Sequence, residues 1–75
     1  MNEYDELALF RYRLIAPLLD PNLERGERQQ ILIHQSGKWY THPTTKNPVQ
    51  FKSETIRDWL KRYRKHGFDG LSTKS

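Results

Sequence analysis

Three cationic residues in the C-terminal half of the chain, Arg57, Lys61 and Arg64, are spaced four and three positions apart. Because side chains three and four residues apart are neighbours on a helix, this spacing places all three along one side of it. A helix with cations along one side fits the major groove of DNA, where Arg and Lys bind guanine edges and phosphates. The alternative is a solvated basic helix face, and the spacing alone does not decide between the two.

Residues near the N-terminus of a DNA-recognition helix normally approach the base edges. In this chain the residues so placed are Ser53, Thr55, Arg57, Asp58 and Lys61. We expect Arg57 to bind guanine through two guanidinium N–H groups, and Thr55 to contact a thymine methyl group or a phosphate. Arg64 and Lys65 lie farther along the helix and are expected to hold phosphates, whereas Arg62 points to a different side.

Charge is unevenly distributed along the chain, whose net charge is +4. Residues 1–24 carry two basic and five acidic side chains, a net charge of −3, whereas residues 25–75 carry eleven basic and four acidic ones, a net charge of +7. A difference this large predicts that the C-terminal two-thirds of the chain faces a polyanion, of which DNA and RNA are the usual examples. An anionic membrane surface is the alternative.

The residue types needed for other chemistry are missing or scattered. There is no cysteine, and the three histidines His34, His42 and His66 lie in different segments without the spacing of metal ligands. No nucleophile, base and orienting group occur together, so we expect no catalytic site, no metal and no cofactor. The apolar runs are too short to span a bilayer and no signal peptide is evident, which predicts a cytoplasmic protein. If the chain binds DNA, we expect it to be nucleoid-associated.

A first helix is predicted over residues 3–19. Its apolar stripe comprises Leu7, Phe10, Leu14 and Leu18. Asn2 is the expected N-cap, and Pro17 is expected to kink or stop the helix because it lacks an N–H group. Arg11 borders the stripe, and we expect its charged group to extend to solvent. A guanidinium buried at the edge of the core, paired with an acid or reaching a phosphate, is the alternative.

The second helix is predicted to follow "DPN" at residues 20–22 and to run to about Gln35. Asp20 and Pro21 form either a turn or a capped helix start. Gly26 weakens the first turn of this helix, at a cost of about 1 kcal/mol relative to alanine. Gly37 is the expected left-handed residue that ends it.

Residues 38–52 are not helical, because aromatic and β-branched residues and two prolines interrupt any helical period. Two short strands forming a small hairpin, or an irregular loop, fit this segment equally well. Trp39 and Tyr40 alternate, so one of them should face inward and the other outward. Lys46 is expected to approach the DNA backbone if the segment acts as a wing.

The third helix is predicted over residues 53–66, with Ser53 as its N-cap. Its buried stripe comprises Ile56, Trp59, Leu60 and Tyr63. Gly67 fits the positive-φ position that ends a helix, and Phe68 is then expected to fold back onto Tyr63. Leu71 is a candidate to close the core, and residues 71–75 are taken as the start of a linker.

Two stretches resemble a known family. "LALFRYRLIAPLLDPNLERGERQQIL" and "TIRDWLKRYRKHGFDGL" are similar to the N-terminal helix-turn-helix region of bacterial insertion-sequence transposases with an integrase-like DDE catalytic domain. The matching residues in the second stretch are Thr55, Ile56, Arg57, Trp59, Leu60, Tyr63, Arg64, Gly67, Phe68, Gly70 and Leu71. Between the two stretches only Tyr40 and Pro43 fit the family pattern.

The sequence therefore predicts one domain, residues 1–75, with an all-α, three-helix, homeodomain-like helix-turn-helix fold and a small hairpin between helices 2 and 3 as an open alternative. The resemblance implies sequence-specific binding of double-stranded DNA at transposon ends, with the catalytic acids in a downstream domain outside these residues. Self-association of a full-length protein is a further expectation. The alternatives are a stand-alone transcription regulator, or an interaction module that uses the acidic first helix with Tyr4 and Tyr12.

Overall fold

Three α-helices and two short 3-10 helices make up most of the chain, and one small antiparallel sheet lies between the second and the third α-helix in chain order. The computed structural model describes residues 3–72. Its elements in chain order are α1 (Glu3–Ile15), a first 3-10 helix (Ala16–Leu19), α2 (Glu27–Ser36), β1 (Tyr40–Thr41), β2 (Pro48–Val49), α3 (Ser53–His66) and a second 3-10 helix (Gly67–Leu71). The mostly helical fold class is therefore confirmed, and the open question between hairpin and loop is decided for the hairpin.

The first helix changes type where Pro17 was expected to disturb it. α1 ends at Ile15 and the chain continues as a 3-10 helix to Leu19. In the 3-10 pattern the carbonyl of Leu14 would accept from residue 17, but proline has no N–H group to donate. The side chain of Gln35 donates to this carbonyl instead, at 3.0 Å. The predicted N-cap Asn2 lies outside the described residues.

The connection from the first 3-10 helix to α2 is a turn, so of the two interpretations of Asp20 and Pro21 the capped helix start is wrong. The Oδ1 atom of Asp20 accepts from the backbone N–H of Asn22 at 2.9 Å. α2 begins only at Glu27, because Gly26 precedes it with φ of +91°, a value that is strained for other residues. Positive φ at this glycine turns the chain into the helix.

The end of α2 was predicted to within one residue, but with the wrong conformation at Gly37. The helix ends at Ser36, one residue after the predicted end. Gly37 has φ of −82°, so it is right-handed and not left-handed as expected. Its N–H group donates to the carbonyl of Ile33 at 3.1 Å and so continues the helical path for one more residue.

The hairpin places one aromatic side chain inward and one outward. Tyr40 pairs with Val49 and Thr41 pairs with Pro48. Tyr40 is half-buried and its hydroxyl donates to the carbonyl oxygen of Gln35 at 3.0 Å, whereas Trp39 is 68% exposed. Burial raises the pKa of Tyr40 above its ordinary value, and its hydroxyl ties the hairpin to α2.

α3 has the predicted bounds, but its two ends differ in detail from the prediction. Lys52, with φ of −75° and ψ of 152°, is the N-cap, and Ser53 is already the first helical residue. At the other end Gly67 has the expected positive φ, +69°. Phe68 is 41% exposed and lies outside the core.

The second 3-10 helix packs tightly onto α3. Leu71 is fully buried, so it belongs to the core and not to a linker. A Cβ atom at Gly70 would overlap with the carbonyl oxygen of Arg62 and lie 2.8 Å from its carbonyl carbon. Only glycine therefore fits where the backbone of this turn approaches α3.

The core lies between α3 and the helices packed around it. Its buried hydrophobic residues are Ala8, Leu14, Ile15, Leu18, Leu32, Ile56, Trp59, Leu60 and Leu71. Burial of Trp59 at 5% exposure confirms its predicted core position, whereas Leu7 and Phe10 of the predicted stripe are only half-buried. Phe51 extends the core toward the hairpin, with its ring 4.8 Å from that of Trp59. Such large aromatic contacts matter in a chain this small, whose core is thin.

Candidate nucleic-acid interface

A depression of about 390 Å³ lies between α2 and α3 and is bordered by cations. Its lining residues are Gly26, Arg28, Gln29, Leu32, Arg57, Leu60, Lys61 and Arg64. We call this surface the basic depression. The structure thus brings together the three cations whose spacing predicted a common side, and it adds a fourth, Arg28, from α2.

Two buried leucines form the floor of the basic depression. Leu32 of α2 and Leu60 of α3 are each 3% exposed, because they belong to the core that joins the two helices. Lys61 directly follows Leu60, and Arg28 lies one helical turn before Leu32, so the cations stand at the rim. The same packing that buries the leucines therefore fixes the relative positions of cations from two helices.

Arg57 is attached to α2 by a side-chain hydrogen bond. Its Nη2 atom donates to Oε1 of Gln29 at 3.1 Å, and both side chains are exposed. A neutral amide is a weaker partner for the guanidinium than a carboxylate would be, and it leaves the positive charge uncompensated. Arg57 is thus oriented without being neutralised.

The lining of the basic depression contains no carboxylate. Asp58 was predicted to approach base edges, but it forms an ion pair with Arg62, with Oδ2 3.1 Å from Nε. The charge of Arg62 also contributes, after burial, to lowering the pKa of Arg11 in α1. Asp58 therefore belongs with Arg62 and not with the three cations.

The remaining predicted contact residues are distributed around α3 and the hairpin. Lys65 is exposed and lies four residues after Lys61, whereas Thr55 is half-buried. Ser53 is half-buried and lines a second depression, of about 610 Å³, at the N-terminal end of α3. Lys46 lines a third one, of about 350 Å³, against α1, where its Nζ donates to the carbonyl of Pro43 at 2.6 Å. Neither Ser53 nor Lys46 lines the basic depression.

Arg11 does not extend to solvent, so that expectation is wrong. Its Nη1 atom donates to the carbonyl of Leu71 at 2.9 Å, and its guanidinium carbon lies 5.1 Å from the ring centroid of Trp59. Burial, and secondarily the charge of Arg62, lower the pKa of Arg11. The alternative of a guanidinium at the edge of the core is correct, with a backbone carbonyl as its partner in place of an acid.

The first helix offers fewer exposed aromatic groups than expected. Tyr4 is 46% exposed, but Tyr12 is partly buried and its ring lies 5.5 Å from that of Tyr63. Tyr12 therefore helps to join α1 to α3.

The sequence did not identify Arg28 and Gln29 as site residues, because the apolar cluster Ile31, Leu32 and Ile33 shows no clear helical periodicity. In the structure Leu32 is buried, Ile31 is half-buried and Ile33 is 59% exposed. Leu32 as the inward residue would have identified Arg28, four positions earlier, as its neighbour on the helix surface.

Between residues 3 and 72 no three His, Cys, Asp or Glu side chains are grouped so that they could hold a metal ion. In the same part of the chain, none of the helices has the length and apolar character needed to cross a bilayer.

Comparisons of the chain with protein-family models, with curated proteins and with solved structures found no match.

Proposed function

We propose that this chain binds double-stranded DNA as a helix-turn-helix module, with α3 as the recognition helix. The observation that carries the proposal is the basic depression, where four cations from α2 and α3 surround a surface with no acid in its lining. Phosphates and guanine edges are the DNA groups that accept hydrogen bonds from such cations. A merely solvated basic face needs no such gathering of cations from two helices.

The long connection between α2 and α3 is compatible with this proposal. A simple helix-turn-helix uses a turn of three or four residues, whereas residues 37–52 separate the two helices here. The hairpin in this connection packs toward α1, since the rings of Tyr40 and Phe51 each lie about 6 Å from that of Phe10. It therefore leaves the basic depression open, and α2 and α3 still pack directly on each other. We infer a homeodomain-like arrangement with an inserted hairpin.

The resemblance to insertion-sequence transposases supports a more specific proposal, that the DNA is a transposon end and the module is part of a nucleoid-associated recombinase. The residues that carry the resemblance fall into two groups. Trp59, Leu60 and Leu71 are buried in the core, whereas Arg57 and Arg64 line the basic depression. The second group is the one that bears on DNA.

Fluorescence anisotropy with a labelled duplex at several salt concentrations tests the DNA-binding proposal. We expect the logarithm of the affinity to fall linearly with the logarithm of the salt concentration, by about 0.9 per phosphate contact. A single strand of the same length and a heparin competitor show whether the duplex itself is preferred. Absence of duplex binding at low salt, with the fold verified by circular dichroism, would overturn the proposal.

A further inference from the structure

One imidazole nitrogen closes the turn that joins the two strands of the hairpin. Nδ1 of His42 accepts from the backbone N–H of Thr44 at 3.2 Å and from that of Thr45 at 3.3 Å. The hydroxyl oxygen of Thr44 lies 3.1 Å from the same atom. The N–H group of His42 donates to the carbonyl of Asn47 at 2.9 Å, so this histidine holds the turn through both its backbone and its ring. We call residues 42–47 the hairpin turn.

These contacts determine where the imidazole ring carries its proton. A backbone N–H group donates and does not accept, so Nδ1 of His42 must receive both bonds with its lone pair and carry no hydrogen. In a neutral imidazole the proton is then on Nε2. An imidazolium ring has hydrogen on both nitrogens, so its Nδ1–H would face the two backbone N–H groups. Protonation of His42 and the closed turn therefore exclude each other.

The rest of the hairpin turn contains a strained residue. Lys46 has φ of +63°, a left-handed conformation that costs energy in a residue with a Cβ atom. Its N–H group donates to the carbonyl of His42 at 2.9 Å, and its Nζ atom donates to the carbonyl of Pro43 at 2.6 Å. Loss of the contacts to Nδ1 would leave this strained conformation held by fewer hydrogen bonds.

We propose that the hairpin turn is a pH-sensitive element, closed while His42 is neutral and loosened when its Nδ1 atom binds a proton. Histidine is the side chain whose charge ordinarily changes between about pH 5 and 8, so the turn should be closed above this range and loosened below it. The charged groups that line the depression beside His42 are Glu6 and Arg13 of α1 and Lys46 of the turn itself. The lining of the basic depression includes no histidine, so this element goes beyond the proposed function and does not rest on it.

Nuclear magnetic resonance of the 75-residue chain, titrated from about pH 8 to about pH 5, tests the proposal. At the higher pH the ring of His42 should carry hydrogen on Nε2 and none on Nδ1. As the ring becomes protonated, the protection of the Thr44 and Thr45 amides against solvent exchange should fall by about two- to tenfold. This is the range expected for one net hydrogen bond, after correction for the intrinsic exchange rate at each pH.

Two variants separate the acceptor atom from the ring. His42→Asn places Oδ1 where Nδ1 lies, so it can accept from the N–H of Thr44 in an Asx turn without binding a proton, and protection should persist at both pH values. His42→Phe keeps an aromatic ring beside Phe10, whose centroid lies 6.2 Å from that of His42, but it has no acceptor. Protection in this variant should be low at both pH values.

Glu6→Gln is the matched control, because it removes the carboxylate that lines the same depression and should leave the pH response unchanged. The proposal is overturned by a proton on Nδ1 at about pH 8, by a ring that stays neutral at about pH 5, or by unchanged protection while the ring becomes protonated. A full pH response in His42→Asn, or its loss in Glu6→Gln, would assign the response to another group and overturn the proposal as well. Circular dichroism verifies that each variant keeps its helices.

Discussion

The two sides of α3 carry the same kinds of residue in different surroundings. On the side that faces α2, Arg57 is held by the neutral amide of Gln29, and Lys61 and Arg64 border a surface without acids. Elsewhere on α3, Arg62 is paired with Asp58, and its charge contributes to lowering the pKa of the partly buried Arg11. Side-chain type does not distinguish these cations, but their neighbours do, since an acid nearby offsets the charge that a polyanion would meet.

The largest expected effect comes from removing the cations of one side. The triple change Arg57→Gln, Lys61→Gln and Arg64→Gln should weaken duplex binding about a hundredfold at low salt. It should also reduce the salt slope by up to about 2.7, since each phosphate that the chain no longer binds lowers the slope by about 0.9. Anisotropy titrations at several salt concentrations measure both quantities.

A second triple variant with the same reduction in charge is the control for this test. Arg13, Arg25 and Lys38 are exposed and do not line the basic depression. Their replacement by glutamine should change the salt slope much less. Equally weakened binding in the two triple variants would show that net charge, and not the basic depression, determines binding.

The contact between the second 3-10 helix and α3 is expected to affect the stability of the fold. Gly70→Ala introduces a Cβ atom that overlaps with the backbone of Arg62, so we expect the free energy of unfolding to fall by about 1–3 kcal/mol. Gly37→Ala is the control, since its Cβ would make ordinary contacts at 3.5 and 3.7 Å with no positive φ. Urea denaturation of both variants decides this prediction, which is wrong if they are equally stable.

A smaller effect is expected for Lys65, an exposed cation of α3 that does not line the basic depression. Lys65→Ala should weaken binding to all duplexes alike and reduce the salt slope by about 0.9, because lysine is expected to contact a phosphate and not a base. Arg62→Ala should reduce the slope less, since Asp58 already offsets the charge of Arg62. A change in the preferred duplex sequence on replacing Lys65 would contradict the assignment to phosphate.

The smallest effect is expected for the ion pair itself. Asp58→Asn should lower the free energy of unfolding by no more than about 0.5 kcal/mol, because exposed pairs four residues apart on a helix contribute little. It should also tighten duplex binding and steepen the salt slope by less than about 0.9, since Arg62 is then free to meet a phosphate. Weaker binding by this variant would mean that Asp58 itself contacts DNA, as its position near the start of α3 predicts from the sequence.

The bounds of the helices were predicted most accurately from the sequence where several local signals agreed. The bounds of α3 were predicted correctly because its apolar stripe, its cationic flank and the glycine after it all indicate the same helix. The start of α2 was predicted too early because the Asp-Pro pair resembles a helix start. The Asx turn at Asp20 and the positive φ of Gly26 place that start later.

The sequence by itself determined that a basic helix with a buried stripe and a glycine stop would form, since residue spacing places side chains around a helix without reference to the rest of the chain. Only the tertiary structure decided the environment of each cation. Arg11 is covered by Trp59 and bound to Leu71, sixty residues later in the chain, and Arg57 meets Gln29 across two helices. Burial and hydrogen bonding between distant residues follow from packing, which local spacing does not encode.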